Sequence, residues 1–122
     1  MYRLVLVAAA ATAACSQTDN NRPATLEYIT EAILQPACSQ SVCHSSYTME
    51  RGYSFDTVVA SRRSILTHTL VQPGDPGASL LYNVLVRTKK RMPYDAPLAQ
   101  KDIDLIKTWI EDGAPGLTEA SE

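Results

Sequence analysis

The stretch Cys38-Ser39-Gln40-Ser41-Val42-Cys43-His44 decides how the chain is read. Two thiols followed at once by a histidine are the pattern of covalent haem attachment, usually with two residues between the cysteines. Each thiol can add across a haem vinyl group to give a thioether, and the histidine beside the second thioether is then held under the iron. Here the spacer is longer, while the Cys43-His44 pair is intact. Two other chemistries use the same residues. A Cys38–Cys43 disulfide suits an oxidising compartment. Zinc would draw on Cys38, Cys43, His44 and His68, although structural zinc favours ligands in separated pairs.

Haem iron in an electron carrier commonly takes an imidazole on one face and a methionine thioether on the other, which raises the reduction potential. The only histidines are His44 and His68, and beyond the initiator the only methionines are Met49 and Met92. His44 is the proximal candidate because Cys43 sets its place. Met92 is the preferred distal candidate. It precedes Pro93, and the residue before a proline is driven out of helical geometry, so Met92 is expected on a stiffened loop. Met49 lies too close to His44 along the chain to reach the opposite face easily. Ordinary core filling is the alternative for Met92, and His68 is the alternative distal ligand.

The basic run Arg87-Thr88-Lys89-Lys90-Arg91 has three readings: a contact for haem propionates, a surface that steers an acidic redox partner, or a solvated loop. Trp109 and Tyr82 either flank the haem or fill the core. No nucleophile-base-acid arrangement is present. Iron with both axial positions filled is closed to substrate, which favours an electron carrier over an enzyme. A labile distal site would instead give a haem sensor or peroxidase. A disulfide in place of the haem would give a helical binding module.

Outward from the cluster, the pattern is helical. Leu26, Ile29, Ile33 and Leu34 recur at helical spacing, with Thr25 as N-cap and Pro36 near the stop. A second helix is expected from Asp56, as N-cap, to about Thr67, with Val58, Val59, Ile65 and Leu66 as its apolar positions. Asp75 followed by Pro76 suits a third helix start, with Leu80, Leu81, Val84 and Leu85 on one face and an end near Arg87. Ile103, Leu105, Ile106, Trp109 and Ile110 mark the last helix, which Gly113 and Pro115 terminate. No alternating run argues for a sheet. The expected fold is all-α: a small domain of about four helices with long loops around a covalent haem.

The chain of 122 residues carries one such domain, over 25–117, followed by a short tail, 118–122. Arg3 and the apolar run from Leu4 to Ala14 describe an export signal, 1–14, too short to span a bilayer, which needs about 20 residues. The run ends Thr12-Ala13-Ala14-Cys15, similar to a bacterial lipobox, which would make Cys15 the lipid-bearing residue of a periplasm-facing protein anchored to the inner or outer membrane. Cleavage before Cys15 would give a soluble periplasmic protein instead. Three cysteines fit this division, two for haem and one for lipid. Residues 15–24 then form a polar tether. The net charge of −2 gives no field for nucleic acid. A monomer with redox protein partners is expected.

The residues from 29 to 116 resemble the small c-type cytochrome domains of the planctomycete and myxobacterial kind. The likeness rests on Ile33-Leu34-Gln35-Pro36 before the Cys38, Cys43 and His44 site, then Val71-Gln72-Pro73-Gly74-Asp75-Pro76 with Ser79-Leu80-Leu81-Tyr82, then Met92-Pro93 and Pro97-Leu98, and last Trp109-Ile110-Glu111-Asp112-Gly113-Ala114-Pro115. Many relatives have a two-residue spacer between the cysteines and a second proline where this chain has Tyr94. The resemblance implies a cytochrome c fold, covalent haem c, His44 and Met92 as axial ligands, and exported electron transfer.

Overall fold

Thr25 opens the fold. Its hydroxyl accepts the Tyr28 N–H, the arrangement that satisfies a free amide at a helix start. The computed structural model describes residues 21–118. The expected export segment, Cys15 and most of the expected tether lie outside those residues, as does most of the tail. The near end of the tether is clasped to the last helix: Arg22 Nη1 lies 2.6 Å from Asp102 Oδ1, and Nη2 donates to the Lys101 carbonyl.

Helix α1 runs over 26–38 without a break. It is α-helical at Leu26–Ile29, π-helical at Thr30–Leu34 and α-helical again at Gln35–Cys38. Pro36 is expected to end this helix and does not. The Gln35 N–H bonds the Thr30 carbonyl, one residue further back than in an α-helix. That wider turn stands where a proline ring would otherwise press on the carbonyl four residues before it. The consequence is functional, because the helix carries on far enough for its final turn to hold Cys38.

Helix α2 spans Val58–Thr67, and its cap is Thr57, whose hydroxyl accepts the Ala60 N–H. Asp56 is released from the expected capping role and turns to the preceding loop. The buried face of α2 is Ser61, Ser64 and Ile65, whereas Val59 and Leu66 are exposed. Small serines form this face because the chain crosses close to it. Ser64 Oγ accepts the Ser54 N–H and donates to the Ser54 carbonyl.

Asp75 and Pro76 do start a helical segment, but it is a single 3-10 turn, Pro76–Ala78, capped by the Asp75 carboxylate on the Ala78 N–H. The backbone then extends at Ser79 before helix α3, Leu80–Val86, begins. Ser79 is fully buried and staples the bend. Its hydroxyl accepts the Gln72 N–H at 2.9 Å and donates to the Asp75 carbonyl at 2.8 Å. Helix α4, Gln100–Glu111, presents Ile103, Leu105, Ile106, Trp109 and Ile110 to the core as expected. Gly113 ends it at φ +91°, a conformation that suits glycine.

Helix α1 packs on α2 and α4, and α3 packs on α4. Among the described residues there is no strand, and no helix is long and apolar enough to cross a membrane. The core gathers Leu26, Ile29, Ile33 and Leu34 of α1 with Ile106, Trp109 and Ile110 of α4. Burying each aliphatic side chain of this size contributes about 1.5–3 kcal/mol. Trp109 is core. It is fully buried, and its Nε1 donates to the Pro115 carbonyl at 3.0 Å. Tyr82 likewise packs against the core.

Candidate functional site

Cys38 closes α1, and the chain turns at once. The Cys43 N–H bonds the Gln40 carbonyl at 2.8 Å and the His44 N–H bonds the Cys38 carbonyl at 3.0 Å. The four intervening residues are thereby folded into a closed turn, so the two cysteines face one space despite their separation in sequence. Both thiols are free and half-buried. Burial, and next to it the nearby Cys43, push the Cys38 thiol up to about 12.

His44 is pinned along its backbone and at its ring. Its carbonyl accepts the Phe55 N–H at 2.9 Å, and its Nδ1 bonds the Glu50 carbonyl at 2.8 Å. A carbonyl can only accept, so Nδ1 carries a proton, and in the neutral ring Nε2 is the nitrogen left open. The ring also meets Tyr53 and Phe55, at centroid distances of 5.4 and 5.6 Å. A carboxylate braces the turn from behind. Asp56 accepts the Ser39 hydroxyl at 2.7 Å and the Ser46 N–H. Hydrogen bonds from Ser46 first, then from Ser39, hold the Asp56 carboxyl below its ordinary range.

Met92 comes from the other side. The Met92–Pro93 peptide is cis, and the Met92 N–H bonds the Val84 carbonyl at 2.8 Å, which ties the loop to the last turn of α3. Between these elements lies a cleft with two lobes. The first, about 390 Å³, is lined by Cys38, Cys43, His44 and Met92. The second, about 280 Å³, is lined by Cys38, His44 and Met92 again, with Phe55, Leu81 and Leu85 as apolar wall. The first lobe alone falls within the range of small-molecule sites.

The structure therefore brings together Cys38, Cys43, His44 and Met92. It does not bring in His68, which is exposed at the end of α2 and lines neither lobe. The His68 ring stacks edge-on against Tyr53 at 4.8 Å, on a ring that also faces His44. Met49 is exposed and also outside the cleft. Among the described residues no group of three or more His, Cys, Asp or Glu is arranged to hold a metal ion. Cys15 lies outside the described residues.

Of the basic run, Arg87 and Lys90 line the second lobe. Arg51 lines both lobes, and nothing in sequence singles it out. It reaches the cleft because its backbone is left-handed, at φ +59°, between Met49 at +48° and Gly52 at +79°. Gly52 is the sole sequence sign of that turn. Tyr53 and Phe55 are cleft residues for a legible reason only in hindsight, since aromatic side chains after a glycine fit a surface loop equally well.

Fold and site together define, over the described residues, a helical domain with a cleft that collects two thiols, an imidazole and a thioether. Compared with family models, with curated proteins and with solved structures, the chain gives no match.

Proposed function

We propose that this chain is an exported monohaem c-type cytochrome that carries single electrons, with thioethers at Cys38 and Cys43 and with His44 and Met92 as the axial ligands. One observation carries the reading: four donors of the right chemistry line one cleft, and the imidazole among them already has its outer nitrogen committed to a carbonyl. That commitment selects the neutral tautomer with Nε2 open and fixes the ring's orientation, as outer partners of metal-bound histidines generally do. The residues fit covalent haem. Two thiols suit vinyl addition, a soft thioether suits iron opposite an imidazole, and the wall of Phe55, Leu81 and Leu85 suits a flat apolar body.

When bound, haem supplies a one-electron iron couple. The chain's own residues then do three things. His44 and Met92 would both hold the iron, which would close it to substrate and water. The apolar wall lowers the local dielectric and limits solvent reorganisation. The closed turn at 38–44 keeps the cysteines fixed relative to His44. Lipid attached at Cys15 would hold the domain at a periplasm-facing membrane surface within reach of redox partners, through the tether over 15–24.

Production in a host with c-type maturation tests the reading. The purified protein is expected to be red, to keep its haem through acid-acetone extraction and denaturing electrophoresis, and to gain the mass of one haem. A colourless product lighter by two hydrogens would mark a Cys38–Cys43 disulfide and overturn the proposal. Met92→Ala should lower the reduction potential and let the reduced protein bind carbon monoxide at neutral pH. An unchanged spectrum would reassign Met92 to packing.

A further inference from the structure

Three of the five non-glycine residues with left-handed backbone among the described residues flank a single contact behind the cleft. Met49 and Arg51, at φ +48° and +59°, belong to the turn that Gly52 closes, and Thr69, at φ +50°, follows α2. Thr69 is β-branched, which makes this conformation a genuine outlier. Such backbone persists only where the surroundings hold it, and it gathers at functional sites. What the two turns hold between them is His68. A Cβ on Gly52 would stand 3.4 Å from His68 Cε1 and Nε2, so the imidazole packs against the glycine. The His68 backbone N–H donates to the Ser64 carbonyl at 3.2 Å. The His68 ring meets Tyr53 edge-on at 4.8 Å, and the Tyr53 ring meets His44 at 5.4 Å. Both are separations of aromatic rings in contact. Three rings therefore run without a break from His44, in the cleft, to an exposed histidine.

We infer that Tyr53 and His68 form an electron port on the His44 side of the cleft, through which a one-electron redox protein docked over His68 exchanges electrons with the bound group. The inference rests on the haem reading above, in which His44 binds the iron. Electron tunnelling weakens steeply across every gap between atoms that do not touch. A chain of touching rings therefore couples the iron's own ligand to the surface better than a loosely packed loop does. One electron leaves the iron couple and one arrives on the partner's acceptor, or the reverse. No bond forms or breaks, no proton moves, and Tyr53 and His68 are not themselves oxidised. Met49, Arg51 and Thr69 around His68 are exposed as well, so the end of the chain of rings is open to a partner.

The test is the rate of light-triggered electron transfer from a ruthenium complex coordinated to His68 of the full-length, haem-loaded protein. The chain has two histidines, and with His44 on the iron only His68 is open to the label. The variants are Tyr53→Leu, Tyr53→Phe, and Thr67→His in a His68→Gln background. The last shifts the label by about 1.5 Å along the helix axis and turns it off the Tyr53 ring. After correction for any change in driving force, transfer should slow about tenfold in Tyr53→Leu and with the shifted label, because each opens a gap that no atoms bridge. Tyr53→Phe keeps the ring contact and should stay within about twofold of the parent. Red protein in which Tyr53→Leu or the shifted label keeps the parent rate, or in which Tyr53→Phe is as slow as Tyr53→Leu, would overturn the port and leave the haem reading standing. Colourless protein from every gene, the parent included, would overturn both.

Discussion

The two halves of this molecule are built on different terms. Around α1 and α4, side chains such as Leu26, Ile29, Leu34, Ile106, Trp109 and Ile110 have no exposure at all. Around the cleft, Val42 is 75% exposed and Tyr94 74%, and two lining non-glycine residues, Arg51 and Lys90, take left-handed backbone. The first half is held by apolar burial. The second is held by hydrogen bonds running from Cys38 to His44, His44 to Glu50 and Asp56 to Ser39. Helix α1 belongs to both, because its first turns lie in the core and its last residue is a cleft thiol. The difference teaches that the fold can stand on the core while the shape of the cleft depends on a few directional bonds.

The largest effect expected from this contrast is in the core. Trp109→Ala removes the biggest fully buried side chain and its bond to Pro115. Such changes cost about 3–5 kcal/mol, against a total stability of about 5–15 kcal/mol for a small domain. Urea titration of the haem-free protein should show most of its stability gone. A loss below about 1 kcal/mol would mean that stability is spread through the cleft shell as well, and the division into two halves would fail.

At the boundary the expected effect is on reactivity. Cys38 ends a core-packed helix, and burial pushes its thiol up to about 12. The thiolate is the nucleophile, so at pH 8 the Cys38 side chain should alkylate about a hundredfold or more slowly than an unperturbed thiol. Peptide mapping after a short pulse of iodoacetamide on reduced, haem-free protein measures this. Equal labelling of Cys38 with an unfolded control would place that sulfur in the open shell instead of against the core.

The same division governs what could be read from sequence. The core half was legible because burial leaves a periodic trace. Ile103, Ile106, Trp109 and Ile110 follow the helical period, and Thr25 caps where a hydroxyl ahead of an apolar run should. The errors came where local rules were overruled by neighbours. Pro36 sits inside a helix because a π turn makes room for it, and the apolar Val59 and Leu66 of α2 face solvent because serines pack more closely against the crossing chain. In the cleft, Cys38, Cys43, His44 and Met92 were legible by residue type alone, since so few residues have their chemistry. Arg51 was not legible. Its place depends on backbone dihedrals around Gly52, and an arginine in a polar loop leaves no pattern.

The smallest effect concerns the brace between the halves. Asp56 joins the start of α2 to the cysteine turn through Ser39 and Ser46, and these bonds hold its carboxyl below the ordinary range. A carboxylate of this kind stabilises the fold fully above its unfolded pKa, near 4. The contribution fades as pH falls through the lower folded value. Asp56→Asn should therefore melt below the parent protein at pH 7, and the gap should close as the pH is taken from about 4 downward. Thermal melts at a series of pH values test this. A gap that persists unchanged at the acid end would show that Asp56 acts through shape instead of charge, and that the cysteine turn keeps its form without an ionised brace.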